Sequence, residues 1–306
     1  MTALVNGLNS SGLFQAGFQL FLREARTPLT LRPARPAMAD QLAAGHYLSI
    51  ISVILRGICR SLERAPVFGD CRFNVFARRF VQMVIIGISD LHGRLNALKA
   101  ILAQAGECDV IVLAGDLTHF GSPKDADSII EACRSFAPHI FAVAGNCDNE
   151  GIETRLVELG VGIAGRGIIV DGVGFHGLSG IPPWRPGMYQ FSEETLASSL
   201  RRGFEEIADS LCHVLVTHVP PRQTNLDRVL WGCHVGSYAV REFISTCQPH
   251  LVVCGHVHEG RGIDVQGKTT IVNCGHAASG YYAKIVLPQA GRQEDIQTEL
   301  CRADLV

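Results

Sequence analysis

The sequence predicts an α/β fold in which two sheets pack face to face with helices outside. Three observations lead there. Short apolar runs of strand length recur from Met83 onward, each closed at once by a glycine or a polar residue. Between them lie stretches whose apolar residues fall at helical spacing. Two further pairs of runs close on tight glycine turns, Asp171-Gly172 and Gly267, as antiparallel hairpins do.

Residues 1–82 are unlike the rest. They carry ten arginines, no lysine and four acids, whereas the remainder is acidic on balance. Thr27 to Met38, with Pro28, Pro33 and Pro36, reads as coil. Leu48 to Leu55 is apolar but stops at Arg56, too short to span a bilayer. No small-residue cleavage site follows a basic segment in the secretory pattern. Three readings stand side by side for this N-terminal extension: translated leader ahead of a start at Met83, an arginine-rich targeting segment, or an appended helix, Leu42 to Leu62, that packs on the domain or a partner.

From Met83 the elements alternate. Met83-Val84-Ile85-Ile86 is a buried strand, and Arg94 to Ala105 is a helix with Leu95, Leu98, Ile101 and Leu102 at its spacing. Val110 to Leu113 is the next strand, and Asp127 to Phe136 a helix with Ile129, Ile130 and Cys133 on one face. Ile140 to Val143 is a strand, followed by a loop at Gly145 to Asp148 and a short helix ending near Gly160. Ile168–Val170 and Val173–Leu178 pair, and Gly180 to Gly187, with Pro182, Pro183, Trp184 and Pro186, is a long loop. Helices are expected over Thr195 to Leu211 and over Ser237 to Cys247, the second capped by Ser237 with Val240, Phe243 and Ile244 inward. Val214 to Val216 and Leu251 to Cys254 are strands, Gly262–Val265 and Thr269–Asn273 a hairpin, and Ala283–Leu287 the last strand.

The strand ends carry the chemistry. Gly87-Ile88-Ser89-Asp90-Leu91-His92-Gly93 places an Asp and a His two residues apart between a strand and a helix, where open α/β sheets bind ligands. A carboxylate and an imidazole so spaced can meet at one first-row metal. Gly115-Asp116, Gly145-Asn146-Cys147-Asp148, His218 and Gly255-His256-Val257-His258 each follow an apolar run of their own. Five strands thus end in residues able to ligate a metal, whereas any one of them alone reads as a cap or a surface histidine.

This ordered set resembles the calcineurin-like metallophosphoesterases, whose pattern runs Asp-x-His, Gly-Asp, Gly-Asn-His-Asp/Glu, His, Gly-His-x-His. The match covers Met83 to about Leu287, with one departure: Cys147 stands where the pattern has histidine. The resemblance implies a four-layer αββα sandwich of two mixed sheets flanked by helices, filling residues 83–290 with 291–306 as a C-terminal tail. It implies two divalent metal ions. Asp90, His92 and His258 would hold one, Asn146, His218 and His256 the other, and Asp116 would bridge both. Mn, Fe, Zn or Ni suits these donors, and manganese is the expected ion. Two dications facing two carboxylates and a neutral amide leave net positive charge to clamp a phosphate and acidify a bridging water, whose hydroxide attacks phosphorus.

At position 147 the family histidine protonates the leaving group or stabilises developing charge, and a thiol is a poor substitute acid. Phosphoesterases of this fold that carry Gly-Asn-Cys-Asp often act on phosphodiesters, so the resemblance implies phosphodiester substrates, with phosphomonoesterase or protein phosphatase activity and a non-catalytic scaffold of the same fold as alternatives. A scaffold is expected to lose ligands, and all seven are present. His119 and His176 are candidates for the missing proton, and Asp148 for orienting His92. Arg222, Trp184, His234 and Ser237 are candidates for the substrate side. The acidic body argues against an extended nucleic-acid face, so the expected partner is a small phosphoester. Eleven cysteines without a CxxC pair or a regular framework read as reduced core residues of a cytoplasmic protein.

Overall fold

The computed structural model describes residues 82–230, 232–288 and 296–305. The three readings of residues 1–82 fall almost wholly outside the described residues. Among the described residues, eleven strands form two mixed sheets. In the first, β1 (Gln82–Ile88), β2 (Val110–Ala114) and β3 (His139–Val143) run parallel. On the other side of β1 lie β10 (Tyr281–Pro288) and β11 (Gln297–Arg302), each antiparallel to its neighbour. In the second, β5 (Val173–Leu178), β6 (Cys212–Thr217), β7 (Leu251–Cys254) and β9 (Thr269–Asn273) are parallel. Two antiparallel edge strands complete that sheet, β4 (Gly167–Val170) and β8 (Gly262–Gln266).

Alternation along the strands builds the layers. Ile85, Val110, Val112, Phe141 and Val143 face Phe175, Val214, Val216, Val253 and Val272 in a core between the sheets. Their neighbours Ile86, Ile111 and Leu113 point the other way, onto α1 (Leu95–Ala105), α2 (Pro123–Arg134) and α3 (Glu150–Glu158). Leu215, Val252 and Ile271 likewise meet α4 (Glu193–Glu205) and α5 (Tyr238–Cys247). The result is the expected αββα sandwich. No helix among the described residues is long and apolar enough to cross a membrane.

Three expected boundaries move, one of them the end of α4, which stops at Glu205 rather than Leu211. Ala283–Leu287 is not the last strand: Gln297–Arg302, in the stretch expected to be a tail, pairs along β10 from Tyr281 to Val286. As a half-exposed edge strand it needs little apolar surface, so it leaves no apolar run to read. Helix α2 starts at Pro123 rather than Asp127, because the Asp125 carboxylate accepts from both Ser122 N–H (2.7 Å) and Ser122 O–H (2.9 Å) and closes the first turn.

Candidate metal centre

Parallel strands of both sheets deliver their C-terminal ends to one edge of the sandwich. Asp90 and His92 follow β1, Asp116 follows β2, Asn146 follows β3, His218 follows β6 and His256 follows β7. The turns that aim them are tight. Asp90, His92, Asp116 and His256 all hold left-handed backbone, with φ of 57°, 48°, 50° and 66°. Non-glycine residues avoid this region, and clusters of such strain mark functional sites. The backbone is tied across the strands, with Asp90 N–H on Gly115 O (3.1 Å) and His92 N–H on Asp116 O (2.9 Å). Two glycines make room for the carboxylates: a Cβ on Gly145 would strike Asp116, and one on Gly255 would strike Ser89 and Asp90.

The side chains converge in two groups that share Asp116. In one, His258 Nε2 lies 3.2 Å from Asp90 Oδ1, and His92 Nε2 lies 3.8 Å from Asp116 Oδ2. Donor atoms of Asp90, His92 and Asp116 all fall within 4.8 Å of one another. In the other, His218 Nε2 lies 3.0 Å from Asn146 Oδ1 and 3.4 Å from Asp116 Oδ1. The His256 ring stands edge-on to that of His218 with centroids 5.1 Å apart, and the His256 backbone N–H donates to Asp90 Oδ2 (3.0 Å).

Hydrogen bonds behind these groups decide which atoms face inward. The Ala114 carbonyl takes the proton of His218 Nδ1 (2.9 Å), so Nε2 is the atom turned to the site. The Asn146 amide nitrogen donates to sulfur of Cys147 (3.2 Å) and Met188 (3.5 Å), which turns its oxygen toward His218. Acceptors therefore face acceptors in a buried place, and no Lys or Arg ion-pairs with Asp90 or Asp116 among the described residues. Protons fill the gap in the bare protein. Burial pushes the Asp116 carboxyl up to about 6, aided by the Asp90 and Asp148 charges and opposed by His218. Burial acts against a charged His218, yet Asp116 and Asp90 outweigh it and hold the imidazole above its usual range. The hydrogen bond that His258 donates to Asp90 raises His258 as well. Carboxylate, amide and imidazole acceptors gathered without a fixed cation suit a divalent metal, which replaces such protons when it binds.

Comparison with known proteins gives the family. The family model for calcineurin-like phosphoesterase matches residues 83–260. The chain belongs to the calcineurin-like phosphoesterase family. The uncharacterized protein MJ1162 of Methanocaldococcus jannaschii is 32% identical over 200 residues, covering 62% of this chain and 87% of that protein. The UPF0046 protein K07C11.7 of Caenorhabditis elegans is 28% identical over 222 residues, covering 64% and 70%. The crystal structure of TT1561 of Thermus thermophilus shares the fold at 19% identity, TM-score 0.55, covering 71% of this chain and 98% of that one. The family makes the protein a metal-dependent hydrolase of phosphoester bonds and implies divalent metal ions.

In this phosphoesterase a cleft of about 620 Å³ opens onto the centre. Asp116, Asn146, Cys147, His92, His256 and His258 form its floor, and Pro182, Pro183, Trp184, Met188, Arg222, Val229, His234, Val235 and Tyr238 its walls. Trp184, whose ring is 6.2 Å from that of His256, joins the wall together with its own prolines.

Other expected residues lie elsewhere or do other work. His176 does not reach the cleft. It sits inside β5 rather than beyond its end, and its side chain points to the outer layer, against Phe204 and Phe243. Asp148 does not orient His92, whose buried Nδ1 has no hydrogen-bond partner among the described residues. Instead its carboxylate accepts from Gly145 N, Leu117 N, Thr118 N and Thr118 Oγ1, all at 2.9–3.0 Å, stapling the Asp116 turn to the Asn146 turn. Ser237 faces no substrate; it is buried, caps α5 through Val240 N–H (3.2 Å) and donates to Glu193 (2.7 Å). His119 packs beside His92, centroids 5.5 Å apart, close to Cys147 but outside the cleft lining.

One neighbour goes unnoticed in sequence. His276 stacks 4.3 Å from the His258 ring, with donor atoms of His92, His258 and His276 within 4.8 Å of one another. The signal was present, since Gly275-His276 follows strand β9 as Gly115-Asp116 follows β2.

Proposed function

We propose that this protein is a dinuclear metal-dependent phosphodiesterase. Asp90, His92 and His258 hold one ion, Asn146, His218 and His256 the other, and Asp116 both. The observation that carries the reading is the convergence of these acceptors, from strand ends of both sheets, with no Lys or Arg ion-paired to Asp90 or Asp116 among the described residues. Carboxylate, amide and imidazole together suit manganese. When bound, such ions polarise phosphoryl oxygens and make water nucleophilic near neutral pH.

Two features of the chain support a diester over a monoester. The cleft walls carry the apolar side chains of Pro182, Pro183, Trp184, Val229 and Val235 beside Tyr238, which suits a phosphorus carrying organic groups. Cys147 occupies the floor in place of an imidazole. Burial, reinforced by Asp116, pushes its thiol far above the ordinary thiol range, so it stays neutral and donates weakly. Arg185 and Arg222, each stacked on a wall aromatic, bring positive charge to an otherwise acidic body. Nine described cysteines, none in a disulfide, support a reducing, cytoplasmic setting.

The test is hydrolysis by the manganese-loaded full chain, with Asp116→Asn as control. Bis(para-nitrophenyl) phosphate is expected to be cleaved faster than para-nitrophenyl phosphate, with about two metals per chain by elemental analysis and activity lost in the control. Preference for the monoester ends the diester reading, and inactivity on both esters with metal in place ends the enzymatic one.

A further inference from the structure

Four histidines line the cleft, and three of them, His92, His256 and His258, are accounted for as metal ligands. The fourth, His234, belongs to the loop between β6 and α5 and is built differently. Its Nδ1 lies 2.6 Å from Oδ1 of Asp227, a carboxylate with no solvent exposure. The carboxylate accepts, so Nδ1 carries the proton and Nε2 is the nitrogen left free for the cleft. Asp227 also accepts from three backbone N–H groups, Gln223 (3.0 Å), Thr224 (2.9 Å) and Gly236 (3.1 Å). Those bonds, with Val235 N–H on the Asp227 carbonyl (3.1 Å) and Val229 N–H on that of Cys233 (3.1 Å), set the loop without help from the imidazole. A buried carboxylate that fixes one ring nitrogen while the other meets a reaction cleft is how proteins position a proton-transferring histidine.

Resting on the phosphodiesterase reading, we propose that His234, held by Asp227, is the acid that protonates the leaving oxygen. The chemistry needs such a group and the floor lacks one, because the Cys147 thiol is a weak donor, His119 lies outside the cleft lining and His176 is buried in another layer. Water adds to phosphorus and the bond to the leaving oxygen breaks. The electron pair stays on that oxygen, which takes the proton from Nε2. His234 is left neutral with Nδ1–H still on Asp227, and the proton released by the attacking water restores it through solvent. A diester and water become a monoester and an alcohol, with no other reactant. Arg222, which also lines the cleft, stacks on Tyr238 (4.7 Å) and ion-pairs with no acid among the described residues, so a phosphate oxygen can take its charge.

Leaving-group dependence tests the assignment. The manganese-loaded full chain is compared with His234→Gln and His234→Ala on methyl phenyl phosphate and methyl para-nitrophenyl phosphate. Phenoxide needs a proton as it departs and nitrophenoxide hardly does. Loss of a general acid is expected to cost about 10²-fold or more in kcat on the phenyl ester and less than about threefold on the nitrophenyl ester. Metal content is expected to match wild type, and added imidazole to restore His234→Ala on the phenyl ester alone. An equal loss on both esters, or none on the phenyl ester, overturns the assignment while wild-type turnover leaves the phosphodiesterase reading standing. A metal-loaded wild type inactive on both esters overturns both.

Discussion

Cys147 separates what the backbone does at the site from what the side chain does. Its N–H donates to Asp116 Oδ1 (2.7 Å) and so helps place the shared carboxylate, a task any residue but proline performs. Its thiol accepts from the Asn146 amide and lies beside the Asp116 carboxylate and the His92 and His119 rings. Cys147→Ala is therefore expected to leave hydrolysis of an activated nitrophenyl diester within about threefold of wild type, since that leaving group needs no acid. Cys147→His is expected to raise the rate on alkyl esters relative to aryl ones. Kinetics on the paired esters, with metal content measured alongside, decide it: abolished aryl hydrolysis in Cys147→Ala with metal retained means that the thiol takes part in the chemistry. Individual residues were legible where they stood just beyond an apolar run, as Asp90, Asp116 and His218 do, because a parallel strand hands its next residues to the sheet edge. His176 misled because it stands inside such a run, where alternation shows that neighbours part company but not which face meets the site. His276 escaped notice because β9 opens Thr-Thr and pairs in a hairpin, which hid its parallel partner β7.

At the scale of elements, capping residues do much of the positioning. Glu193, the first residue of α4, accepts from Ser237 Oγ (2.7 Å), Tyr238 N–H (2.9 Å) and Ala239 N–H (2.8 Å), so it also serves the open N-terminus of α5. Ser237 completes the arrangement by capping Val240 N–H (3.2 Å). Its N–H and carbonyl in turn join Pro220 and Arg222, which lie at the start of the loop that carries Asp227 and His234. Ser237→Ala removes a cap and a bond to a carboxylate, and is expected to lower stability by about 1–2 kcal/mol in denaturant unfolding. Metal content should be unchanged, and a loss of metal instead would place Ser237 in the site itself. The cap at Ser237 could be read in sequence because a serine stood directly before an amphipathic run. The start of α2 could not, because its first turn is held by the Ser122–Asp125 exchange ahead of the first inward residue, Ala126. Strand β11 was hidden for the opposite reason, since an edge strand half open to water lacks the apolar run by which the central strands were found.

At the scale of the molecule the sandwich stands on cores that lie within residues 83–303. A chain beginning at Met83 is therefore expected to fold and to keep metal-dependent activity. Insoluble or inactive protein under matched conditions would assign residues 1–82 a part in the fold. Acid stability follows from the same layering. His176, with no solvent exposure, has its ring 5.8 Å from that of Phe204 and 5.2 Å from that of Phe243. Neither ring nitrogen has a hydrogen-bond partner among the described residues. Burial, with His213 acting the same way, pushes this imidazole down to about 3, well below the 6.5 of an ordinary histidine. Between those values the unfolded chain binds a proton that the folded chain refuses. The contribution is intact above pH 6.5 and is lost as pH falls toward 3, at about 1.4 kcal/mol per pH unit, or about 2 kcal/mol by pH 5. His176→Leu removes the titrating group and leaves the layer apolar. Any packing cost of the substitution is common to both pH values and cancels in their difference. Urea unfolding of metal-free protein at pH 7.5 and pH 5 is expected to show the gap between the two stabilities smaller in the variant by about 2 kcal/mol. Equal gaps in the two proteins would mean that His176 takes up its proton in the folded state, and acid sensitivity would then belong to the centre at the sheet edge.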